Sequence, residues 1–327
     1  MAQVLVVGGA GYIGSVTARA LLGAGHGVVN LDDLSSGHAA AVQGELIVGD
    51  VRDRALLARI FASRSFDAVL HFAAKSLVGE SVSRPIRYFD NNVAGTLTLL
   101  AAMEEAGVGS LVFSSTCAIY GDPLRLPLDE DHPHQPISPY GESKAIIEAV
   151  LATCRAQGAI RATTLRYFNA AGATEDGLNG EAHDPETHLI PLCLAAAYGQ
   201  RPPITVMGTD YPTPDGTCIR DYVHVLDLAD AHLRAMDRLL AGAPGAAYNL
   251  GTGRGHSVRE VLASVERVVG QPVPCIEGPR RAGDPPALYA VAAKANRELG
   301  WVPRYLQLDE IIRTTAGWAR APRYGRG

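Results

Sequence analysis

Residues 3–14, QVLVVGGAGYIG, decide the fold of this chain. Gln3–Gly8 is a short apolar run of the kind that forms a strand buried on both faces of a parallel sheet. Apolar residues at helical spacing begin at Tyr12. The glycines at this junction satisfy both GxGxxG (9, 11, 14) and GxxGxxG (8, 11, 14). The stretch therefore predicts a strand, a tight glycine turn and a helix, in that order.

Strand and helix patterns continue to alternate outward from this stretch. Further strands are predicted at Val28–Asp32, Glu45–Asp50, Asp67–Phe72, Ser110–Ser115 and Ala162–Tyr167. Helices are predicted at Tyr12–Gly25, Asp53–Ala62, Pro85–Ala106 and Pro139–Gln157. Such an alternation predicts an α/β fold, a doubly wound parallel sheet of the Rossmann type.

The pattern loosens after Asn169 into shorter elements rich in Gly, Pro, Asp and His. We therefore expect residues 1–168 to form the first domain, with a smaller, interleaved α/β domain at 169–222 and 251–327. A helix at Val225–Leu240 and a strand at Ala247–Leu250 are regular again. They predict that 223–250 returns to the first sheet.

Composition excludes several classes of protein. The chain has 327 residues, is 47% hydrophobic and carries a formal net charge of −5. This length suggests about two domains, and the hydrophobic content excludes disorder. The small negative charge argues against nucleic acid or a membrane surface as partner. No apolar stretch reaches the roughly 20 residues of a membrane span. The strand at the N-terminus leaves no room for a signal peptide, so we expect a cytoplasmic protein.

The five cysteines, at positions 117, 154, 193, 218 and 275, include no close pair. An odd set without CxxC spacing indicates neither a disulfide framework nor a zinc site. We therefore expect a reducing compartment and no bound metal.

The glycine turn and the second strand together predict a bound dinucleotide. Glycines at 8, 11 and 14 let the backbone approach a pyrophosphate, which then faces the amides at the helix N-terminus. The second strand ends at Asp32 and Asp33, where an acid can hold both ribose hydroxyls of an adenosine. Because that acid repels a 2′-phosphate, NAD is favoured over NADP. Asp50 ends the third strand and either flanks the adenine or caps the next helix.

Tyr140 and Lys144 lie four residues apart in a predicted helix, and therefore on one face. The pair is either an ordinary surface pair or a phenol whose pKa is lowered by the ammonium and by a nicotinamide cation. The fifth strand ends in Ser114, Ser115 and Thr116, where a parallel sheet presents its carboxyl edge to a ligand. Thr116 can hydrogen-bond the oxygen that gains and loses the proton. This combination predicts hydride chemistry.

Longer motifs extend the pattern over nearly the whole chain. They are GGAGYIG (8–14), HFAAKSLVGES (71–81), DNNVAGT (90–96), FSSTCAIYGDP (113–123), SPYGESK (138–144) and LRYFNAAGA (165–173). With these motifs the chain resembles the extended short-chain dehydrogenase/reductases. Within that family, PETHLIPL (185–192), DYPTPDGTCIRDYVHVLDLADAH (210–232), YNLGTG (248–253) and PRRAGDPPALYA (279–290) are similar to the UDP-galactose 4-epimerases. The resemblance implies an NAD-dependent isomerase that interconverts UDP-galactose and UDP-glucose through a transient 4-keto sugar.

The resemblance also implies roles for individual residues. Tyr140 is the expected acid/base, Lys144 binds the nicotinamide ribose and tunes the phenol, and Thr116 assists. The residues expected at NAD are Gly8, Gly11, Tyr12, Ile13, Gly14, Asp32, Asp33, Leu34, Ser35, Ser36, Gly37, Asp50, Val51, Phe72, Ala73, Ala74, Lys75, Ser76, Asn91, Tyr140, Lys144 and Phe168. Those expected at the UDP-sugar are Thr116, Tyr140, Asn169, His188, Leu189, Val206, Met207, Arg220, Arg281, Asp284 and Leu288.

Three of these positions carry a further expectation. Many members have a lysine where this chain has Ser76, with the basic residue here at Lys75, so the contacts of both are open. His188 is either a ligand contact or a polar residue at a helix start. In the family, the position matching Leu288 lines the pocket beside the sugar C2, where a tyrosine excludes an N-acetyl group and a small residue admits it.

Two alternative functions are disfavoured by residues of this chain, and its helices predict a state of assembly. A nucleotide-sugar 4,6-dehydratase or a UDP-glucuronate decarboxylase carries acidic residues after the hydroxyls of the fifth strand, where this chain has Cys117 and Ala118. An inactive dinucleotide-binding sensor usually lacks the tyrosine or the lysine, and both are present. The helices Pro85–Ala106 and Pro139–Gln157 carry more apolar surface than one face needs, at Leu97, Leu100, Ile146, Ile147 and Val150. Because the family pairs these helices as a four-helix bundle, we expect a homodimer.

Overall fold

The computed structural model describes residues 1–281 and 284–325. Its strands are β1 Gln3–Val7, β2 Gly27–Asp32, β3 Glu45–Val48, β4 Ala68–His71, β5 Ser110–Ser114, β6 Arg161–Tyr167, β7 Asn169–Ala171, β8 Ile204–Met207, β9 Ile219–Arg220, β10 Tyr222–His224, β11 Ala247–Leu250, β12 His256–Ser257, β13 Cys275–Gly278 and β14 Ala287–Leu288. Its α-helices are α1 Tyr12–Gly23, α2 Arg54–Ser63, α3 Val78–Ser83, α4 Pro85–Tyr88, α5 Gly95–Glu105, α6 Pro139–Ala156, α7 Leu189–Ala197, α8 Val225–Leu240, α9 Val258–Val269, α10 Ala293–Leu299 and α11 Leu308–Arg320.

Seven parallel strands form the main sheet, in the order β11-β6-β5-β4-β1-β2-β3. The six strands predicted along the first half of the chain are all present, and the predicted fold class is confirmed. The strand order reverses between β1 and β4, which opens a crevice at their carboxyl ends. The glycine turn follows β1 and therefore lies at this crevice.

Helices cover both faces of the sheet, because successive side chains of each strand point to opposite faces. Val4 and Val6 of β1 pack into one core with α1 and α8. Leu5 and Val7 pack into the other core with α2, α5 and α6. The sheet is therefore the middle of three layers, and it holds α1 and α6 at fixed positions on either side of the crevice.

The single helix predicted at Pro85–Ala106 is interrupted in the structure. Helix α4 is followed by a π-helical turn at Phe89–Ala94, and α5 begins only at Gly95. Helical spacing of apolar residues cannot distinguish a π turn from α-helix, because both keep one face towards the core. π turns are often found at functional sites. This one carries Asn91 and Asn92 towards the end of β4.

Beyond the main sheet, the strands are short and form three small sheets. They are β10-β7, β12-β9-β14 and β13-β8. The strand predicted at Ala247–Leu250 is present as β11 and pairs in parallel with β6 at the edge of the main sheet. Among the described residues, no helix is long and apolar enough to span a membrane. The division of the chain into two domains stays a prediction.

Candidate active site

The crevice between β1 and β4 is closed so tightly that only glycine fits at its base. The amides of Phe72 and Ala73 donate to the carbonyl of Val7 at 2.7 and 3.0 Å. Gly8 has a φ of +87°, and a Cβ there would lie 2.5 Å from the Ala73 nitrogen. Both the backbone conformation and the available space therefore require glycine.

In the first turn of α1, the backbone at Gly14 lies very close to the carbonyl of Gly8. A Cβ on Gly14 would lie 2.0 Å from the carbonyl oxygen of Gly8. Gly11 is the N-cap of α1, and no side chain caps the helix there. The amides at this helix end therefore face the crevice without a side chain in front of them. A bare helix N-terminus in a glycine cradle fits the pyrophosphate of a dinucleotide.

Asp32 ties the end of β2 to this turn. Its carboxylate accepts hydrogen bonds of 2.9 Å from the amides of Ala10 and Leu34, and burial raises its pKa. Leu34 has a φ of +56°, so the chain bends sharply after the carboxylate. Gly37 then returns against Ala10, where a Cβ would lie 2.8 Å from a backbone atom. The segment from Asp32 to Gly37, with Asp33, Ser35 and Ser36 in it, therefore borders the glycine turn.

Asp50 is not the N-cap of the second helix, which was one of the two interpretations from sequence. The N-cap of α2 is Asp53, whose side chain accepts from the Leu56 amide at 2.9 Å. The Asp50 carboxylate instead accepts from the backbone amide and the guanidinium of Arg52, at 2.8 and 3.0 Å. The adjoining Val51 is buried among core side chains.

The other residues predicted at the cofactor lie around the same crevice or pack behind it. The Tyr12 hydroxyl donates to the Gly172 carbonyl. Ile13, the next residue of α1, packs against α8. The Phe72 ring lies against that of His232, with centroids 4.6 Å apart. Ala74 and Lys75 are half-buried after β4, whereas Ser76 is exposed.

Tyr140 and Thr116 meet at the carboxyl end of β5. Tyr140 is in the first turn of α6, and Ser138 caps that helix by accepting from the Gly141 amide at 3.2 Å. Burial raises the pKa of the Tyr140 phenol to about 12, although a hydrogen bond with Thr116 lowers it. The lowered pKa that the sequence predicted is therefore not produced by the protein's own groups. Desolvation of the phenolate is the stronger effect here.

Lys144 is buried one turn further along α6. Its Nζ donates to the Ser114 carbonyl at 2.8 Å and lies 4.6 Å from the centroid of the Phe113 ring. Burial lowers the pKa of Lys144 to about 7, and the nearby Glu148 carboxylate raises it. The lysine is therefore fixed to the end of β5 and is not a solvated surface partner of Tyr140.

Asn92 is a site residue that the sequence argument missed. Its side-chain oxygen accepts from the Lys75 amide at 2.8 Å, and its side-chain nitrogen lies 3.0 Å from both the Lys75 carbonyl and Ser143 Oγ. Ser143 in turn donates to the Tyr140 carbonyl at 2.7 Å. This amide therefore links the loop after β4 to the Tyr140–Lys144 helix. The motif DNNVAGT contains two asparagines, and only the π turn shows which of them points inwards.

A buried ion pair behind Lys144 was also missed. Glu148 lies one turn after Lys144 on α6, and its carboxylate lies 2.5 Å from the Arg166 guanidinium, both side chains being 6% exposed. Glu148 also accepts from Ser115 Oγ at 2.6 Å. Arg166 donates to the Tyr120 hydroxyl at 2.8 Å. The end of β5 is therefore held from two sides, by Lys144 at Ser114 and by Glu148 at Ser115.

The predicted substrate side is centred on Arg220. Its guanidinium pairs with the Asp284 carboxylate, with side-chain exposures of 15% and 26%. Leu288 is the partner of Arg220 in the parallel pair β9–β14. The structure therefore brings three of the predicted substrate residues together, from segments that are far apart in sequence. Arg281 precedes Asp284 and is exposed, with its carbonyl accepting from the Asp284 amide at 3.3 Å.

An apolar cluster connects this side to the end of β5 and to α6. Phe168 and Leu288 both pack against the cluster that contains Cys117, the residue after Thr116. Asn169 lies at the start of β7, where its side-chain nitrogen donates to the Asp221 carbonyl at 3.1 Å. Phe168, which was predicted at NAD, and Leu288, which was predicted at the UDP-sugar, therefore pack near the end of β5, and Asn169 directly follows Phe168.

The remaining predicted substrate residues lie on other elements. Val206 and Met207 end β8, with Val206 buried and Met207 exposed. Leu189 begins α7, and His188 is its N-cap residue without a capping side-chain hydrogen bond. The His188 Nδ1 instead lies 2.7 Å from Glu181 and 3.0 Å from Glu186. His188 is therefore a polar residue at a helix start, as one of its two interpretations predicted, although its side chain does not cap the helix. Its contact with a substrate stays a prediction.

Comparisons with known proteins agree with this geometry. Residues 4–251 match the model of the NAD dependent epimerase/dehydratase family. A UDP-glucose 4-epimerase of Rhizobium leguminosarum bv. trifolii is 52% identical to the chain over 316 residues, which cover 96% of both proteins. The crystal structure of UDP-glucose 4-epimerase from Brucella ovis in complex with NAD superimposes with a TM-score of 0.94 at 50% identity, covering 97% of this chain and 98% of the other. The crystal structure of UDP-glucose 4-epimerase from Bifidobacterium longum in complex with NAD⁺ and UDP superimposes with a TM-score of 0.93 at 39% identity. This match covers 99% of this chain and 100% of the other.

Proposed function

The chain belongs to the NAD dependent epimerase/dehydratase family, among its UDP-glucose 4-epimerases, and from this premise we propose how it acts. It interconverts UDP-galactose and UDP-glucose through a transient 4-keto sugar, with Tyr140 as acid and base. Thr116 and Lys144 assist Tyr140. NAD is the cofactor, bound in the crevice between β1 and β4.

The observation that carries this proposal is the cluster of buried side chains at the end of β5, namely Tyr140, Thr116 and Lys144. Tyr140 shares a hydrogen bond with Thr116, and Lys144 is fixed to the Ser114 carbonyl. NAD would supply a hydride acceptor and donor for C4 of the hexose, and its positively charged nicotinamide ring would favour the phenolate of Tyr140. Tyr140 removes the proton of the 4-hydroxyl and later gives it back. Burial of the phenol keeps water from competing for that proton.

The substrate side binds the part of the substrate that does not react. Arg220 is suited to a diphosphate because a guanidinium can donate two parallel hydrogen bonds to it. Asp284 holds this guanidinium in place before substrate arrives. Because UDP is bound tightly and the sugar is packed loosely, the 4-keto sugar can rotate within the pocket. Hydride can then return to the opposite face.

The experiment that tests the proposal supplies UDP-galactose to the purified protein and measures UDP-glucose without added NADH. We expect many turnovers per chain, because each cycle leaves NAD unchanged. Bound NAD without turnover would favour the inactive sensor instead. Loss of water from the hexose, or of CO₂ from UDP-glucuronate, would favour a dehydratase or a decarboxylase. Cys117 and Ala118, which follow Thr116, cannot supply the acid that either reaction needs.

The homodimer is proposed on part of the surface that the sequence suggested. Leu97 on α5 and Ile146 on α6 are 46% and 38% exposed, and Val82 and Ile86 nearby in the chain are exposed as well. Leu100 and Ile147, which the sequence counted as additional surface, are buried in the core beneath. Light scattering at micromolar protein should give twice the chain mass. A monomer mass there would contradict the dimer.

Two broader predictions accompany this function. We propose that 1–168 together with 223–250 forms the NAD-binding domain and that 169–222 and 251–327 form the domain for the UDP-sugar. The pairing of β11 with β6 supports this division. A cytoplasmic location is supported by the cysteines, all five of which are free.

A further inference from the structure

Four side chains to which the proposed proton and hydride transfers assign no step converge in the segment between β7 and α7. They are Glu181, His183, Glu186 and His188, and each turns one ligand-type atom inwards. These four atoms lie within 4.8 Å of one another. Both histidines present the same ring atom, Nδ1, and both carboxylates present an oxygen.

The spacing of these atoms is close to that of ligands around one small cation. His183 Nδ1 lies 3.1 Å from a Glu181 oxygen and 3.9 Å from a Glu186 oxygen. His188 Nδ1 lies 2.7 and 3.0 Å from the same two carboxylates. Tetrahedral ligands at about 2.0–2.2 Å from a metal are roughly 3.3–3.6 Å apart. The observed distances fall on both sides of this range, so shifts of a few tenths of an ångström would complete the site.

The charges in the cluster also call for a cation. The Glu181 side chain is 3% exposed, and a buried carboxylate needs a positive partner. Across residues 1–281 and 284–325, neither Glu181 nor Glu186 forms an ion pair with a lysine or an arginine. The positive charge must therefore come from the two imidazoles or from an ion bound between them and the carboxylates.

We propose that Glu181, His183, Glu186 and His188 bind one divalent transition-metal ion of the Zn²⁺ class. Two imidazole nitrogens and two carboxylate oxygens form a donor set that Zn²⁺ accepts in tetrahedral geometry. Since all four ligands come from the chain, no position is left open for a reacting water, and the site is structural. The cysteine pattern could not predict it, because it contains no cysteine.

The proposed metal would fix a segment that connects both halves of the active site. The His183 ring lies edge-on to Tyr12, with centroids 6.4 Å apart, next to the glycine turn. His38 Nε2, just after the loop that borders this turn, lies 2.7 Å from the Ala182 carbonyl. His188 directly precedes α7. The inference does not depend on the proposed function, since it concerns how these residues hold an ion.

The test measures bound metal directly, in tag-free protein with Cys275→Ser as the background. This change removes the one exposed cysteine, whose thiol could itself hold zinc. The protein is equilibrated with ZnCl₂, dialysed exhaustively, and its zinc is counted by mass spectrometry. Replacement by Co²⁺ then reports geometry, because tetrahedral cobalt absorbs visible light far more strongly than octahedral cobalt.

We expect one zinc per chain and the intense tetrahedral cobalt spectrum. His183→Gln and Glu186→Gln should each weaken Zn²⁺ binding at least about tenfold, since even partners behind a ligand matter that much. Matched changes at exposed positions outside the cluster, His134→Gln and Glu104→Gln, should retain full zinc. Mg²⁺ should not compete, because it prefers six oxygen ligands.

Three results would overturn the proposal. The first is less than about a tenth of a zinc per chain after dialysis, which would mean that protons on the two imidazoles balance the carboxylates. The second is equal retention in both cluster variants, which would mean that the zinc is bound elsewhere. The third is an octahedral cobalt spectrum. Far-UV circular dichroism of each variant shows whether lost zinc reflects a lost ligand or a lost fold.

Discussion

The main sheet and the small sheets beyond it build their halves of the proposed active site in different ways. At the crevice between β1 and β4, the contacts come from continuous segments and largely from backbone atoms, such as the Phe72 amide on the Val7 carbonyl at 2.7 Å. On the substrate side, β9, β12 and β14 have two residues each. There, side chains distant in sequence make the contacts, as in the pair Arg220–Asp284, 64 residues apart.

This difference determines what each half tolerates. A site made of backbone is insensitive to most side-chain exchanges but fails where a single Cβ has no room, as at Gly8 and Gly14. A site made of side chains keeps its fold when one is exchanged, and changes its affinity instead. Tyr140 lies where the two halves meet, so its exchange should leave both binding functions in place.

The largest effect is expected for Tyr140→Phe. The ring remains and only the hydroxyl oxygen is lost, so kcat should fall by roughly 10²–10⁴-fold, the usual contribution of a general acid–base group. The affinities for NAD and UDP should stay within about twofold of the parent. The measurement is conversion of UDP-galactose to UDP-glucose, with NAD and UDP binding followed by calorimetry.

Tyr198→Phe is the matched control for this prediction. The Tyr198 hydroxyl is buried and has no hydrogen-bond partner among the described residues. Its removal should leave kcat unchanged. A Tyr140→Phe enzyme within about tenfold of the parent rate would show that another group moves the proton.

The next largest effect tests the cofactor half, by two glycine exchanges in the same helix. A Cβ at Gly14 meets the Gly8 carbonyl oxygen at 2.0 Å, whereas one at Gly23 has no heavy atom within 4 Å. Gly14→Ala should lower the free energy of unfolding by about 1–3 kcal/mol and weaken NAD binding strongly. Gly23→Ala should be neutral or stabilising by up to about 1 kcal/mol.

Urea denaturation and NAD titration measure both glycine variants. If Gly14→Ala bound NAD like the parent, the close approach in the glycine turn would not define the cofactor site. If it weakened UDP binding as strongly as NAD binding, the two halves of the site would not be independent.

A smaller effect is expected on the substrate half, for Arg220→Gln. Hydrogen bonds with a charged partner contribute about 1.5–3 kcal/mol, so KM for the UDP-sugar should rise roughly 10- to 100-fold. NAD affinity should not change. Arg259→Gln, which breaks an exposed ion pair with Glu277 on the same side, should leave KM within about twofold. Steady-state kinetics of both variants decides the matter, and equal KM values would remove Arg220 from the site.

Much of the cofactor half could be predicted from the sequence because its signals are local. The strand, glycine turn and helix at 3–14 are contiguous, and Tyr140 and Lys144 share a helix face by spacing alone. Local signals also gave Val225–Leu240 and Ala247–Leu250 with the observed ends. The substrate residues came only from the family resemblance, since two-residue strands have no periodicity to detect.

The residues that sequence reasoning missed act through tertiary contacts. Asn92 points inwards because a π turn shifts the helix there, and that shift leaves no pattern in the apolar spacing. A glutamate on a helix is usually exposed, but Glu148 is buried against Arg166 of β6. The raised pKa of Tyr140 likewise follows from burial, which spacing along a helix cannot measure.

The smallest effect, on sugar range, is expected at Leu288. This residue is paired with Arg220 and packs against the apolar cluster that contains Cys117, so it lies near both the proposed anchor of the diphosphate and the end of β5. Leucine is smaller than tyrosine but larger than serine, and we expect weak activity on the N-acetyl pair beside full hexose activity. Leu288→Ser should raise the N-acetyl rate several-fold, within the roughly 10–200-fold that one apolar group can contribute in a pocket. Leu288→Tyr should abolish that rate, and both variants should keep hexose turnover. Equal N-acetyl rates in all three proteins would show that another wall of the pocket sets the limit.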